Sequence, residues 1–237
     1  MIGFAPRAAA SGIAAILTIA LSLTASDVHA EPAYIAPGQI ALSALIGPPP
    51  SVESEQQRRD LKAVLDAQAV RNDAQVERAK ATADLSVFAF ADVLGSGFTK
   101  ERLPKTANLF SRIYGDSVAA LEVTKDLWKR PRPFVSNVEV TPAGERPKSS
   151  SYPSGNALLG HLYAIVLAQI IPEKSAEIFA RGQETGDNRV IAGVHYPTDL
   201  AAGRQAAVAI ATTLWSTAAY KDDLASAKAE LRAALGL

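Results

Sequence analysis

The stretch NALLGHLYAIVLAQII, residues 156–171, contains no Asp, Glu, Lys or Arg, and wound at about 3.6 residues per turn it is apolar nearly all round. A helix on a protein surface keeps one polar face. One with no polar face belongs in the middle of a bundle. Pro172 ends the run before it reaches the ~20 residues needed to cross a bilayer.

Helical patterns continue on both sides of this segment. Upstream, ALIGPPPSVES (44–54) offers a rigid polyproline piece followed by Ser51 or Ser54 as a helix N-cap. Leu61, Val64 and Leu65 then begin an apolar stripe, with the charged RRD, RND and ERAK falling mostly outside it. A short apolar helix is expected from Asp84 to Val93, ending at Gly95-Ser96-Gly97. Leu103-Pro104 opens the next, whose face carries Phe110, Ile113, Tyr114, Val118 and Leu121, and Pro131 and Pro133 stop it. Residues 134–152 read as a loop. Downstream, helices are expected over Glu173 to Glu184, Thr198 to Tyr220 and Asp222 to Leu235. No alternating strand pattern or internal repeat interrupts them, so the fold class is all-α, a single-domain helical bundle.

Arg7 followed by an uncharged apolar stretch and then Val28-His29-Ala30 has the form of a secretory signal cut after Ala30. Residues 1–30 are therefore expected to be a signal peptide and 31–237 the folded domain, periplasmic or secreted, with no stable membrane insertion after cleavage. The 24 basic and 24 acidic residues cancel, which argues against a nucleic-acid partner. With no cysteine, the exported domain relies on its core rather than on disulfides. A homo-oligomer is compatible with the sequence, which does not specify one.

Three polar clusters fall at helix ends or in loops, where side chains can converge. These are KDLWKRPRP with Lys125 and Arg132, YPSGN at 152–156, and NRVIAGVHYPTD with Arg189, His195 and Asp199. Lys125, Arg132 and Arg189 are cations suited to a tetrahedral oxyanion. Ser154 and Gly155 lie where the chain enters a helix, so backbone N–H groups and the helix dipole point at the same anion. His195 with Asp199 has the form of a nucleophile or base oriented by a carboxylate. Taken singly, each cluster also has an ordinary reading as a solvated helix end, a turn or a local cap.

The ordered set Lys125-x6-Arg132-Pro133, Pro153-Ser154-Gly155 and Arg189-x5-His195-x3-Asp199 resembles the three-part signature of the type 2 phosphatidic acid phosphatase and vanadium haloperoxidase superfamily. Within it, Pro48-Pro49-Pro50 and the tail HYPTDLAAGR are most similar to bacterial class A non-specific acid phosphatases. The resemblance implies that the helical bundle is of the acid phosphatase and haloperoxidase type. It also implies that small-molecule phosphate monoesters are hydrolysed without a metal or other cofactor. Lys125, Arg132 and Arg189 would bind the phosphoryl oxygens with the Ser154 hydroxyl and the Ser154 and Gly155 amides. His195 would form a phosphohistidine and Asp199 would orient it.

Two positions depart from that pattern. Asn188 stands where serine is common and can still donate a hydrogen bond. Asn156 stands where the family places the histidine that protonates the leaving group, and losing a general acid costs ~10² to 10⁴ in rate. His161, about 140° further round a helix and about 7.5 Å along, is expected to face elsewhere as a packed residue. Trp128 and Phe134 could line the leaving-group side, and Tyr196-Pro197 should start a helix that holds His195 at its mouth. The leading expectation is an impaired acid phosphatase. The alternatives are a phosphate- or phosphoester-binding protein on the same fold and a vanadate-dependent haloperoxidase ligating vanadium through His195.

Overall fold

Small residues set how closely the helices of this chain approach one another, and that closeness builds the site. The computed structural model describes residues 1–3 and 34–237. The cleavage point expected after Ala30, and all but the first three residues of the expected signal peptide, lie outside them. In chain order the helices are α1 (Leu42–Ile46), α2 (Glu55–Val70), α3 (Asp73–Ala81), α4 (Ala91–Leu94) and α5 (Pro104–Trp128). They are followed by α6 (Pro133–Ser136), α7 (Gly155–Ile170), α8 (Ser175–Ile191), α9 (Pro197–Trp215) and α10 (Ala218–Leu235), and the described residues contain no strand.

Helix α7 contains most of the apolar run 156–171, and it occupies the centre as expected. Leu158, Leu162, Val166 and Ile170 are fully buried, and α8, α9, α5 and α10 surround it. A Cβ on Gly160 would stand 2.6 Å from the carbonyl oxygen of Gly182, so α7 and α8 cross at backbone contact. Gly203 does the same for α9: a Cβ there would lie 2.5 Å from the carbonyl oxygen of Ser154. Larger residues at such positions force the helices apart, at ~1–3 kcal/mol. That contact brings the start of α9, with Asp199, against the start of α7.

Ser54 caps α2, its hydroxyl accepting from the Gln57 amide at 3.1 Å. Pro104 and Pro197 occupy first-turn positions in α5 and α9, where a missing N–H costs nothing. Several boundaries differ from expectation: α6 falls within residues read as a loop, and the last helix starts at Ala218 rather than Asp222. Residues 84–86 are not helical, because Asp84 accepts from the Ser86 amide at 2.8 Å and Ser86 caps a 3₁₀ turn over Val87–Phe90. α8 runs past Glu184 to Ile191, with Gly186 packed against Ala157. The long alanine-rich helix breaks after Trp215, where the Ser216 hydroxyl donates to the Thr213 carbonyl at 2.7 Å and a tightened turn replaces the ladder. Within RRD, expected to fall mostly outside the apolar stripe, Asp60 is buried.

Candidate active site

A cavity of about 730 Å³ opens between the end of α5, the loop after α6, the entry to α7 and the segment joining α8 to α9. It collects Lys125, Arg132, Gly155, Asn156, Arg189 and His195 from residues spread over seventy positions of the chain.

The cations are fixed by carbonyl and hydroxyl oxygens rather than by carboxylates. Lys125 reaches the Ser150 carbonyl from the last turn of α5. Arg132, the residue before Pro133, donates to the Ser149 carbonyl at 2.7 Å and the Val194 carbonyl at 2.8 Å. Arg189, in the last turn of α8, donates to the Ala79 carbonyl near the end of α3 and to the Thr82 hydroxyl at 3.1 Å. All three are buried, and among the described residues none has an acidic partner within ion-pair distance. Burial, with Arg132 beside it, pushes the Lys125 ammonium down to about 7, and burial lowers both guanidinium groups to about 10. Three crowded, unneutralised cations make a pocket that favours an anion.

His195 sits at the mouth of α9. Its Nδ1 lies 3.1 Å from Asp199 Oδ2 and its Nε2 3.2 Å from an Arg132 nitrogen. Burial holds the imidazole below its ordinary value, so it is neutral near neutral pH. Burial would raise the Asp199 carboxyl, but hydrogen bonds from His195 and Ser151 and the charge of Arg130 outweigh it and keep it ionised. With Nδ1–H donated to Asp199, the lone pair of His195 is on Nε2, facing the cavity. Asp199 also accepts from the Ser151 hydroxyl at 2.5 Å and the Tyr196 amide at 2.9 Å.

Behind this pair is an ion network that sequence reasoning missed. Arg130 bonds Asp199 Oδ1 at 2.6 Å and Asp60 Oδ2 at 2.8 Å, and its guanidinium lies 4.2 Å from the centre of the Tyr196 ring. Arg130 stands inside KDLWKRPRP, so its position was in view; its partner Asp60 is 70 residues away. Thr82 was missed too, although it receives Asn188 Nδ2 at 3.0 Å as well as Arg189. Asn188 thus donates a hydrogen bond, as expected of it.

Other expected positions divide. Gly155 and Asn156 line the cavity, and Asn156 Nδ2 donates to the Ala83 carbonyl at 3.3 Å. Ser154 is fully buried and does not line it: its amide donates to the Asp199 carbonyl at 3.0 Å and its hydroxyl oxygen caps α7 by accepting from Ala157. The close approach at Gly203 takes up the Ser154 amide that was assigned to the anion. Trp128 packs edge-on against Tyr152, and Phe134 joins Ala192 and Val194 in a small apolar cluster, so neither forms a cavity wall. His161 is half-buried beside Phe179, away from the cavity.

An all-helical domain whose buried cations surround a carboxylate-held imidazole is, by fold and site, an oxyanion-handling domain. The chain belongs to the PAP2 superfamily, which its residues 108–223 match. It is 32% identical over 196 residues to the non-specific acid phosphatase of Providencia stuartii, covering 79% of each chain. It is 31% identical to that of Salmonella typhimurium over 78% of this chain and 77% of the relative. To the acid phosphatase of Zymomonas mobilis it is 29% identical over 80% and 75%. A crystal structure of a transmembrane PAP2-type phosphatidylglycerolphosphate phosphatase from Bacillus subtilis shares the fold at a TM-score of 0.50 and 20% identity, over 68% of this chain and 85% of that one. No helix among the described residues of the present chain is long and apolar enough to cross a membrane.

Proposed function

We propose that this protein is an exported phosphomonoesterase that passes the phosphoryl group of its substrate through His195. The observation that carries the reading is the set of three buried cations without acidic partners, arranged around an imidazole whose far nitrogen is held by an ionised carboxylate. The kinship with acid phosphatases supports it.

The phosphoryl group enters between Lys125, Arg132 and Arg189, with the unpaired amides at the start of α7 adding hydrogen bonds. Its negative oxygens draw the Arg132 nitrogen away from His195. Nε2 of His195 then attacks phosphorus as the P–O bond to the alcohol breaks, and that electron pair leaves on the ester oxygen. Asp199 stabilises the positive charge that appears on the imidazole, and the three cations stabilise the charge spreading over the equatorial oxygens. Water then attacks phosphorus on the far side from Nε2, releasing phosphate and free His195.

Asn156 lies in the cavity wall where the leaving oxygen departs. Its amide can hydrogen-bond that oxygen and has no proton to transfer near neutral pH. Alcohols that leave without help, such as nitrophenolate, are therefore cleaved far faster than alkyl alcohols. The test is Asn156→His assayed on p-nitrophenyl phosphate and on an alkyl monoester, with His195→Ala as control. The expected result is an alkyl-ester gain of ~10² to 10⁴ with a much smaller aryl gain. Equal gains on both esters remove Asn156 from this role, and no turnover by either form removes the phosphatase reading. Asn156 also favours a second reading, a phosphoester-binding protein without turnover, which that last outcome would select.

A further inference from the structure

The two positions that depart from the family pattern, Asn156 and Asn188, lie on different helices, and both donate from Nδ2 to one short turn. Asn188 reaches the Thr82 hydroxyl at 3.0 Å and Asn156 the Ala83 carbonyl at 3.3 Å. Arg189 comes to the same place, donating to the Ala79 carbonyl and to the Thr82 hydroxyl. The end of α3 is therefore a common anchor for one cation of the cradle and for both asparagines.

Thr82 is where these bonds meet. It is completely buried, and a hydroxyl has one hydrogen to give and two lone pairs that receive. The hydrogen goes back to the Arg78 carbonyl at 2.9 Å, with the Ala79 carbonyl at 3.3 Å. The lone pairs take Asn188 and Arg189, so the oxygen is used to capacity. One turn earlier, Arg78 Nε donates to Glu184 Oε1 at 2.6 Å. Residues 78 and 82 at the end of α3 thus face residues 184 and 188 of α8, an i, i+4 pair on each side, and form two rungs between them. An asparagine reaches one bond further than the serine common at position 188, and so spans the second rung.

The second rung restrains Arg189. One terminal nitrogen is held by Ala79 and Thr82, while Nε is buried with no protein partner among the described residues, and the residue lines the cavity. A guanidinium is planar, so anchoring one nitrogen limits the directions open to the others. An anion then meets donors that are already aimed, and little side-chain freedom is lost on binding. Building on the phosphomonoesterase reading, we propose that Thr82 is a positioning residue: paired with Asn188, it holds Arg189 in the orientation that receives the phosphoryl group. Thr82 touches no substrate and acts through the guanidinium alone.

The experiment titrates the intact chain and its variants with inorganic phosphate by calorimetry and follows p-nitrophenyl phosphate turnover beside it. Thr82→Val keeps the shape of the side chain and removes the hydroxyl. It is expected to weaken phosphate binding about tenfold, the range of one hydrogen bond to a charged group, and to lower kcat with it. Thr82→Ser keeps the hydroxyl and should restore both. Asn188→Ser shortens the second rung with Thr82 in place; it should show a smaller loss of the same kind, and it carries the test should Thr82→Val not fold. In an Arg189→Met background, either substitution should cost no further phosphate affinity, whereas a residue that merely supports the fold costs the same in both backgrounds. Unchanged phosphate affinity in Thr82→Val and Asn188→Ser, or an equal loss with and without Arg189, overturns the proposal. Phosphate binding that follows the expected pattern in a chain that fails to hydrolyse p-nitrophenyl phosphate upholds Thr82 and defeats only the hydrolase reading.

Discussion

Arg130 and Arg132 are separated by one proline and are equally buried, at 5% exposure, yet the chain treats them in opposite ways. Arg130 is neutralised twice, by Asp60 and by Asp199, and covered by the Tyr196 ring. Arg132 receives carbonyls, a hydroxyl and an imidazole, but no carboxylate. Pro131 helps produce the difference: with its torsion fixed in the short link between α5 and α6, the two arginine side chains part, one into the protein and one into the cavity. A buried cation completed by the protein's own anions is structural. A buried cation left incomplete is a receptor for somebody else's anion.

The largest stability effect expected from this contrast is at Arg130. Arg130→Met leaves Asp60 and Asp199 buried without their shared cation, and breaking one side of a buried ion pair costs about 3–5 kcal/mol. Urea denaturation at neutral pH should show that loss, together with lower activity because Asp199 no longer holds His195 firmly. If Arg130→Met unfolds at the denaturant concentration of the unaltered protein, the network behind His195 is not structural.

Arg132→Met is expected to reverse the pattern. Removing an unneutralised buried cation relieves repulsion with Lys125 and forfeits hydrogen bonds to Ser149 and Val194, so stability should stay within about 1 kcal/mol. Loss of a preorganised group that stabilises developing charge should lower kcat/KM by ~10² to 10³. Added phosphate should raise the melting temperature of the unaltered protein and have much less effect on this variant. A variant that loses stability as Arg130→Met does would place Arg132 with the structural arginine and erase the distinction.

The same contrast explains what could be read from the sequence. Lys125, Arg132, Arg189, His195 and Asp199 stand at short, fixed spacings at helix ends, and the structure brings all five into one place. The central helix was legible because an apolar run carries its burial with it, whatever its neighbours are. Arg130 was not, because its role depends on Asp60, and a carboxylate within RRD on an amphipathic helix looks like any solvated charge. The Ser154 amide was misassigned for a similar reason. Its acceptor is the carbonyl of Asp199, brought within 3.0 Å by the close approach at Gly203, a contact between α7 and α9 that no local pattern announces. The break after Trp215 depended on hydroxyls competing with a helix ladder, and a run of alanines on either side hides that competition.

The smallest effect separates the cradle's lysine from its two arginines. Burial and the charge of Arg132 bring Lys125 from its ordinary 10.5 to about 7, whereas Arg132 and Arg189 remain cationic up to about 10. The unfolded chain therefore holds a proton on this lysine that the folded chain gives up between about 7 and 10.5. The penalty of a charged Lys125 is present below that window and disappears across it, so this group makes stability rise with pH. Anion affinity moves the other way, because each pH unit above about 7 reduces the protonated fraction up to tenfold. Sulfate, which stays dianionic throughout, should inhibit progressively less as pH rises from 6 to 9, and its stabilising effect in thermal melts should fade in step. Lys125→Arg keeps the cation to higher pH and should flatten both trends. A sulfate profile equally steep in Lys125→Arg would mean that the proton lost near neutrality comes from another group, and that all three cations of the cradle stay charged together.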